Sequence, residues 1–480
     1  MNRLVVVSNR VPAPSAAGAQ AGGLAVALEA LMQQRGGLWF GWSGRLSDAT
    51  GTGMLDDGSV RFATVDLTAE EHDRYYNEFS NGTLWPLLHS MPELMSFDRR
   101  NAQAYRAVNE RFTDSLLPLL RPGDLIWMHD YHLMAMPAAL RARGVVAPLG
   151  FFLHIPFPSP DLLASVPESA ALVRDLLTAD LLGFQTDNDA DNFAEAAVRM
   201  AGAERGPSNG LLIGGRRVRL GVFPVEIEPH EFAAMAEDSW FATPTERLRR
   251  SLSQQLLMLG VDRMDPTKGL LHRFAGYRRL LETRPEWRRR VALLQIAAES
   301  RKDVPAYREL RQTVEREAGS INSAFAEPDW TPLRLIARAG ARNVIAGYMR
   351  EARVGLVTPL RDGMNLVAKE YVAAQDPQDP GVLVLSKFAG AARQLESALL
   401  VNPYDADEMA DALDAALTMS LAERQARWRA AWDAIKDTSA LGWGRSFVAA
   451  LLRATAKRPL HTGGEPSLHG IRPESGMRLM

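Results

Sequence analysis

Cysteine is absent from all 480 residues. That excludes disulfides, thiolate-bound metals and cysteine-held iron–sulfur clusters, and makes a reducing cytoplasm the expected compartment. No apolar run approaches the ~20 residues that a bilayer-spanning helix needs. The first apolar stretch, Leu4-Val-Val-Val7, passes at once into polar Ser8-Asn9-Arg10 and is too short for a secretory signal. An excess of one charge is missing as well: 55 Lys and Arg stand against 57 Asp and Glu, for a net charge of −2. No global electrostatic case remains for nucleic acid or an anionic membrane. There is no Walker A sequence and no H-E-x-x-H, and the first strand is not followed by G-x-G-x-x-G. No carboxylate pair on one element announces a hydrolase.

What is present is an ordinary globular composition, 46% hydrophobic and 23% charged, at a length that predicts two or more domains. Short apolar runs alternate with helical patterns in two blocks. In the first block, strands are expected at 4–7, 38–42, 60–67, 125–128, 149–153, 181–185 and 221–225. A polar, proline-punctuated crossover over 226–255 follows. The second block has strands expected at 256–259, 291–297, 354–357, 381–386 and 399–401. The pattern predicts an α/β protein with two doubly wound domains facing across a cleft, their ligand edges at the strand carboxyl ends. The expected domains are residues 1–235 and 236–440. A helix over 441–458 is expected to return to the first domain, and 459–480, rich in Pro, Gly, Ser and His, to be a loose tail.

The candidate residues sit at those strand ends. Arg10 follows the first strand, and Gly22-Gly23 opens a helix after a small-residue loop. Asp130 and His154 end two successive strands, a better functional pairing than a lone histidine. Tyr75, Tyr76, Phe79, Asn81 and Trp85 form an aromatic and polar cluster that suits a sugar surface, although packing is the commoner use. Arg263 and Lys268 flank a turn before a helix, where two cations can clamp a diphosphate. Arg301 ends the next strand. The run from Thr358 to Tyr371 reads as strand, Asp362-Gly363 turn and helix over 364–375. Glu370 would then lie about 12 Å along that helix from Asp362, at roughly 1.5 Å per residue. On its own this stretch is better read as a helix cap at Asp362 and a solvated acid at Glu370. The His129-Asp-Tyr-His132 run sits in a tight turn, a poor geometry for chelation, so no metal and no cofactor are expected.

The motifs Leu4-Val-Val-Val-Ser-Asn-Arg10, Gly22-Gly23-Leu24, Trp39-Phe-Gly-Trp42, Leu84-Trp85-Pro86, His129-Asp-Tyr-His-Leu133, Phe152-Leu-His-Ile-Pro-Phe-Pro158 and Pro359-Leu-Arg-Asp-Gly-Met-Asn-Leu-Val-Ala-Lys-Glu-Tyr371, in this order, resemble the trehalose-6-phosphate synthases. These are retaining glucosyltransferases with two facing Rossmann-like domains, the GT-B fold. The resemblance covers about residues 1–450. It implies transfer of glucose from a nucleotide-glucose, expected to be UDP-glucose, to glucose 6-phosphate. Residue by residue, it implies that Glu370 accepts the ribose hydroxyls and that Arg263 and Lys268 hold the diphosphate. Asp362, the backbone of Gly363, Met364, Asn365 and Leu366, and His154 would bind the donor glucose, with Gly22 closing over it. Arg10, Tyr76, Trp85, Asp130 and Arg301 would hold glucose 6-phosphate. The expected assembly is a homo-oligomer, dimer or tetramer.

The chain departs from that family at three places. Pro266 stands where Tyr is usual, Glu226 where Gly is usual, and Lys302 where a small residue is common. Glu226 either alters closure near the domain junction or points to solvent. Two other readings stay open: a glucosylglycerol-phosphate synthase or other sugar-phosphate glycosyltransferase of the same family, and a catalytically silent nucleotide-sugar sensor.

Overall fold

The computed structural model describes residues 2–12, 23–48, 51–207, 209–301 and 304–456; Gly22, Lys302 and the expected tail over 459–480 lie outside them. The first block supplies strands β1 (Leu4–Arg10), β2 (Gly37–Leu46), β3 (Thr52–Asp57), β4 (Val60–Leu67), β5 (Leu125–His129), β6 (Leu149–Phe152), β7 (Leu181–Phe184), β8 (Glu204–Gly206), β9 (Gly210–Ile213) and β10 (Arg216–Val222). The second supplies β11 (Leu256–Arg263), β12 (Val291–Ala298), β13 (Leu333–Ile336), β14 (Val354–Val357), β15 (Val382–Ser386) and β16 (Leu399–Val401).

They form two sheets, ordered β3-β4-β2-β1-β5-β6-β7-β10-β9-β8 and β13-β12-β11-β14-β15-β16. The second is parallel throughout. The first is parallel from β4 to β10, with antiparallel β3 at one edge and β9 and β8 at the other. The strand order reverses between β1 and β5 and between β11 and β14. Loops diverge there to opposite faces and leave a crevice at the carboxyl ends.

The continuous apolar runs have a direct cause, because both faces of each sheet are covered. Along β1, Val5 and Val7 enter one core while Leu4 and Val6 enter another. The second core includes the helix Ala440–Thr455, which lies on the first sheet. Phe447 stacks on Trp127, centroids 4.4 Å apart and planes at 9°. Gly150 and Gly183 allow this approach, since a Cβ at either would fall 2.7 Å from the Phe447 ring.

The crossover expected over 226–255 is largely helical. It folds into helices Pro229–Trp240 and Thr243–Leu252. Phe232 and Ala236 pack with Leu257, Met349 and Ala368 of the second unit, so the passage between units lies at 223–228, ahead of position 235. The helix expected from residue 364 begins at Leu366. Asp362 is not its cap: Asn365 occupies that place at φ 81°, and Asp362 instead forms an isolated parallel bridge with Ala389. The 362–365 stretch is loop, so the distance along a helix axis does not apply to it.

Candidate active site

Each switch point presents a set of loops, and the two sets meet. From the first unit, residues His72–Leu84 wind as a wide helix with five-residue backbone spacing, a form concentrated at functional sites. Asn81 Nδ2 donates to the Tyr76 carbonyl at 2.8 Å, and Tyr75 Oη donates to Asn9 Oδ1 at 2.8 Å, tying this helix to the end of β1. Tyr76 stacks on His132, centroids 5.7 Å apart at 11°, and lies 5.8 Å from Trp42. Arg10 comes to the same aromatic group, its guanidinium 5.8 Å from the Trp42 ring.

Trp85 follows that helix and reaches across to the second unit. Its Nε1 donates to Asp265 Oδ1 at 3.3 Å, and the Arg301 guanidinium lies 3.9 Å from its ring centre. Asp265, fully buried, is the hub of this contact. Its Oδ2 accepts from Arg301 Nη1 at 2.9 Å and from Tyr307 Oη at 3.2 Å, and its Oδ1 from the Thr267 amide at 3.0 Å. Burial works against its ionisation, but Arg301, Arg263 and Lys268 outweigh that and hold the carboxyl well below the usual range. Arg301 also donates to Tyr131 Oη at 3.2 Å and to Tyr307. Its φ of 47° is a strained conformation of the kind that clusters at functional sites.

Asp265 caps a single turn, Pro266–Lys268. Pro266 occupies its first position, where a missing N–H costs nothing. The departure from Tyr there is accommodated by the local fold. That turn delivers Lys268 Nζ to Asp362 Oδ2. Burial disfavours the charged Asp362, but Lys268, with His89 and Arg263, keeps it below the ordinary value. Asn365 Nδ2 adds a second contact to Asp362 at 3.0 Å. Arg263 is the more open cation, its side chain 51% exposed and 4.0 Å from Asp265. Asp262 turns away into a buried pair with Arg273 at 2.5 Å.

Opposite this loop stand Asp130 and His154. Asp130 holds φ 74°, and its Oδ1 accepts from the His154 amide at 3.3 Å. Burial raises its pKa to about 6, against the Tyr131 and His154 amides and the Arg301 and Arg263 charges. The His154 ring faces His129, Nε2 to Nδ1 at 3.1 Å. Burial lowers His154 to about 3 and His129 well below its usual value, so both rings are neutral and one donates to the other. Gly363 sits directly against this strand end: a Cβ there would be 2.3 Å from the His154 carbonyl oxygen. Glu370 lies farther along its helix and accepts from Arg342 Nη2 at 3.2 Å. Burial raises its pKa and Arg342 opposes the rise.

Asp130, His154, Lys268, Arg301 and Asp362, each from the loop after a different strand, thus meet Tyr76 and Trp85 of the 72–88 helical segment at one crevice. Asp265, Tyr307, His129 and Arg342 were not singled out as site residues from the sequence. The Asp-Pro at a turn start was a usable sign for Asp265, and the His129-Asp130 adjacency for His129. Nothing local marked Tyr307 or Arg342. Among the described residues, no group of three or more His, Asp or Glu is arranged to hold a metal ion. No helix among them is long and apolar enough to cross a membrane.

The family model for glycosyltransferase family 20 matches residues 2–453. The chain belongs to glycosyltransferase family 20. It is similar to the trehalose-6-phosphate synthase of Sinorhizobium fredii, 45% identical over 453 residues that cover 93% of this chain and 98% of the relative. Among solved structures, it superposes on an alpha,alpha-trehalose-phosphate synthase (UDP-forming) from Burkholderia vietnamiensis with a TM-score of 0.93 and 46% identity, covering 95% of this chain and 98% of that one. A Burkholderia xenovorans structure of the same name, in complex with glucose-6-phosphate, gives 0.91 and 45%, covering 94% and 99%. The two facing α/β units of this family 20 chain are therefore a GT-B fold, as the motifs led one to expect.

Proposed function

We propose that this chain transfers glucose from UDP-glucose to glucose 6-phosphate with retention, forming α,α-trehalose 6-phosphate. The observation that carries the reading is the contact across the crevice, where Trp85 of one unit meets Arg301 and Asp265 of the other within a family 20 glycosyltransferase. It sets a cationic, aromatic group of side chains, which this reading assigns to the acceptor, beside the Lys268–Asp362 pair.

In this reading Arg10 and Arg301 take the phosphate of glucose 6-phosphate, while Tyr76, Trp85 and Asp130 take its sugar ring. Arg263 and Lys268 hold the donor diphosphate and Glu370 the ribose. Asp362, the amides of Gly363 to Leu366 and the His154 ring hold the donor glucose, and Gly22 closes over it. Lys268 has three N–H groups, so it can keep Asp362 while donating to a phosphate oxygen. As the anomeric bond breaks, charge grows on the leaving diphosphate, where Arg263 and Lys268 stabilise it in a water-poor site. The acceptor hydroxyl attacks from the face the leaving group departs, and a phosphate oxygen of the leaving group takes its proton. That gives retention without a protein nucleophile. Closing the crevice excludes water and suppresses hydrolysis of the donor.

Incubation with UDP-, GDP- and ADP-glucose against glucose 6-phosphate and glycerol phosphate tests the reading, with products identified by mass and anomeric NMR. UDP and a doubly α-linked disaccharide phosphate are expected. A glucosylglycerol phosphate product replaces this acceptor with a smaller one, and binding without turnover identifies a nucleotide-sugar sensor.

A further inference from the structure

Glu226 lies on the passage between the two units and is 6% exposed. Its Oε2 accepts from Lys369 Nζ at 2.6 Å, and Lys369, wholly buried, also donates to the Val225 carbonyl at 2.9 Å. Oε1 accepts from Gln394 Nε2 at 2.8 Å. Thr438 Oγ1, on the returning passage into the C-terminal helix, lies 3.1 Å from Oε2. One carboxylate therefore gathers the outgoing passage, the returning passage, the helix that carries Glu370 and the segment just after the turn Gly390–Arg393.

Two of these partners belong to segments that adjoin the Asp362–Leu366 loop. Lys369 stands in the helix that the loop leads into, next to Glu370. Gln394 follows the turn beneath the loop, whose Gly390 and Ala391 amides donate to the Asp362 and Met364 carbonyls at 3.1 and 2.7 Å. A buried ion pair adds little net stability against an apolar replacement, but its attested use is to specify one arrangement over others.

We infer that Glu226 is a positioning residue for the donor site, fixing the Asp362–Leu366 loop and the Glu370 helix to the interdomain passage. The inference rests on the proposed reaction. It acts through Lys369 and Gln394 on groups assigned to the donor, and it has no contact with the acceptor pocket around Trp85 and Arg301.

The test compares Glu226→Gln, and a double variant of Glu226→Gln with Lys369→Met, against the wild type in steady-state kinetics and in direct calorimetric titration with UDP-glucose. KM and Kd for UDP-glucose are expected to rise about tenfold, the order of one lost hydrogen bond, with KM for glucose 6-phosphate within about twofold. The double variant removes both buried charges, so its melting temperature recovers, while its donor Kd stays raised. If the single variant fails to fold, the double variant alone decides. A donor Kd equal to wild type in the folded variants, or equal losses for donor and acceptor, overturns the inference. If wild type forms no product, the proposed reaction falls, while the titration still reads the donor site.

Discussion

The Arg301 guanidinium of the second unit rests 3.9 Å from the centre of the Trp85 ring of the first, and Asp265 binds both. Arg301 to Lys keeps the charge but loses the planar fork that reaches Asp265 and Tyr131 together. In the proposed site this lowers kcat/KM for glucose 6-phosphate by about 10²-fold, with donor affinity unchanged. Kinetics with each substrate varied in turn checks it, and equal losses for both substrates contradict the division of the site.

Asp130 carries a pKa raised to about 6 by burial. The sign follows: a carboxyl favoured in its neutral form when folded lowers stability as pH rises from the ordinary carboxylate value to about 6, and contributes no further change above it. In the proposed site it accepts a sugar hydroxyl more strongly when ionised, so kcat/KM for glucose 6-phosphate rises through that pH. The substrate phosphate also titrates near pH ~6. Asp130→Asn separates them: whatever pH dependence survives belongs to the phosphate, and an unchanged profile removes Asp130 from the assignment.

Gly363→Ala places a methyl 2.3 Å from the His154 carbonyl oxygen, where backbone of the other unit must move. Donor affinity is expected to fall about tenfold or more, because the loop and the first-unit strand end can no longer meet. Titration with UDP-glucose reads this directly. Glu370→Ala should weaken the same titration by about 1–3 kcal/mol, as loss of a charged acceptor does. Unchanged binding removes the ribose role.

Phe447→Ala leaves a void between Trp127, Gly150 and Gly183. A loss of about 3–5 kcal/mol in denaturant unfolding is expected, with donor Kd little changed in the folded fraction. A loss under about 1 kcal/mol, close to that of a surface substitution, would show that the helix is not part of that core.

Much of this arrangement was legible in advance. Unbroken apolar runs such as Leu4–Val7 mark strands covered on both faces, and the polar residues that end them mark the ligand edge. That rule placed Arg10, Asp130, His154, Arg263 and Arg301 at or just past strand ends, and the structure has them there. The 226–255 helices were not resolved within what read as a polar crossover punctuated by proline, yet Pro229 and Pro244 both stand in a first helical turn, where proline is tolerated. The helix start at Leu366 was misplaced because Asp362-Gly363 has the composition of a cap, while Lys268 and the 389–391 turn claim it for tertiary contacts.

By itself, then, the sequence determined the alternation of strands and helices, the two units and the residues at their carboxyl edges, because periodicity and turn chemistry report local conformation and which side is buried. Only the tertiary structure decided the partners. Lys268 meets Asp362 across 94 residues, Arg301 meets Tyr131 across 170, and Glu226, open to two readings in sequence, is buried against Lys369 across 143. A charged residue states what it can bind, and only the packing of distant segments states which partner lies within reach.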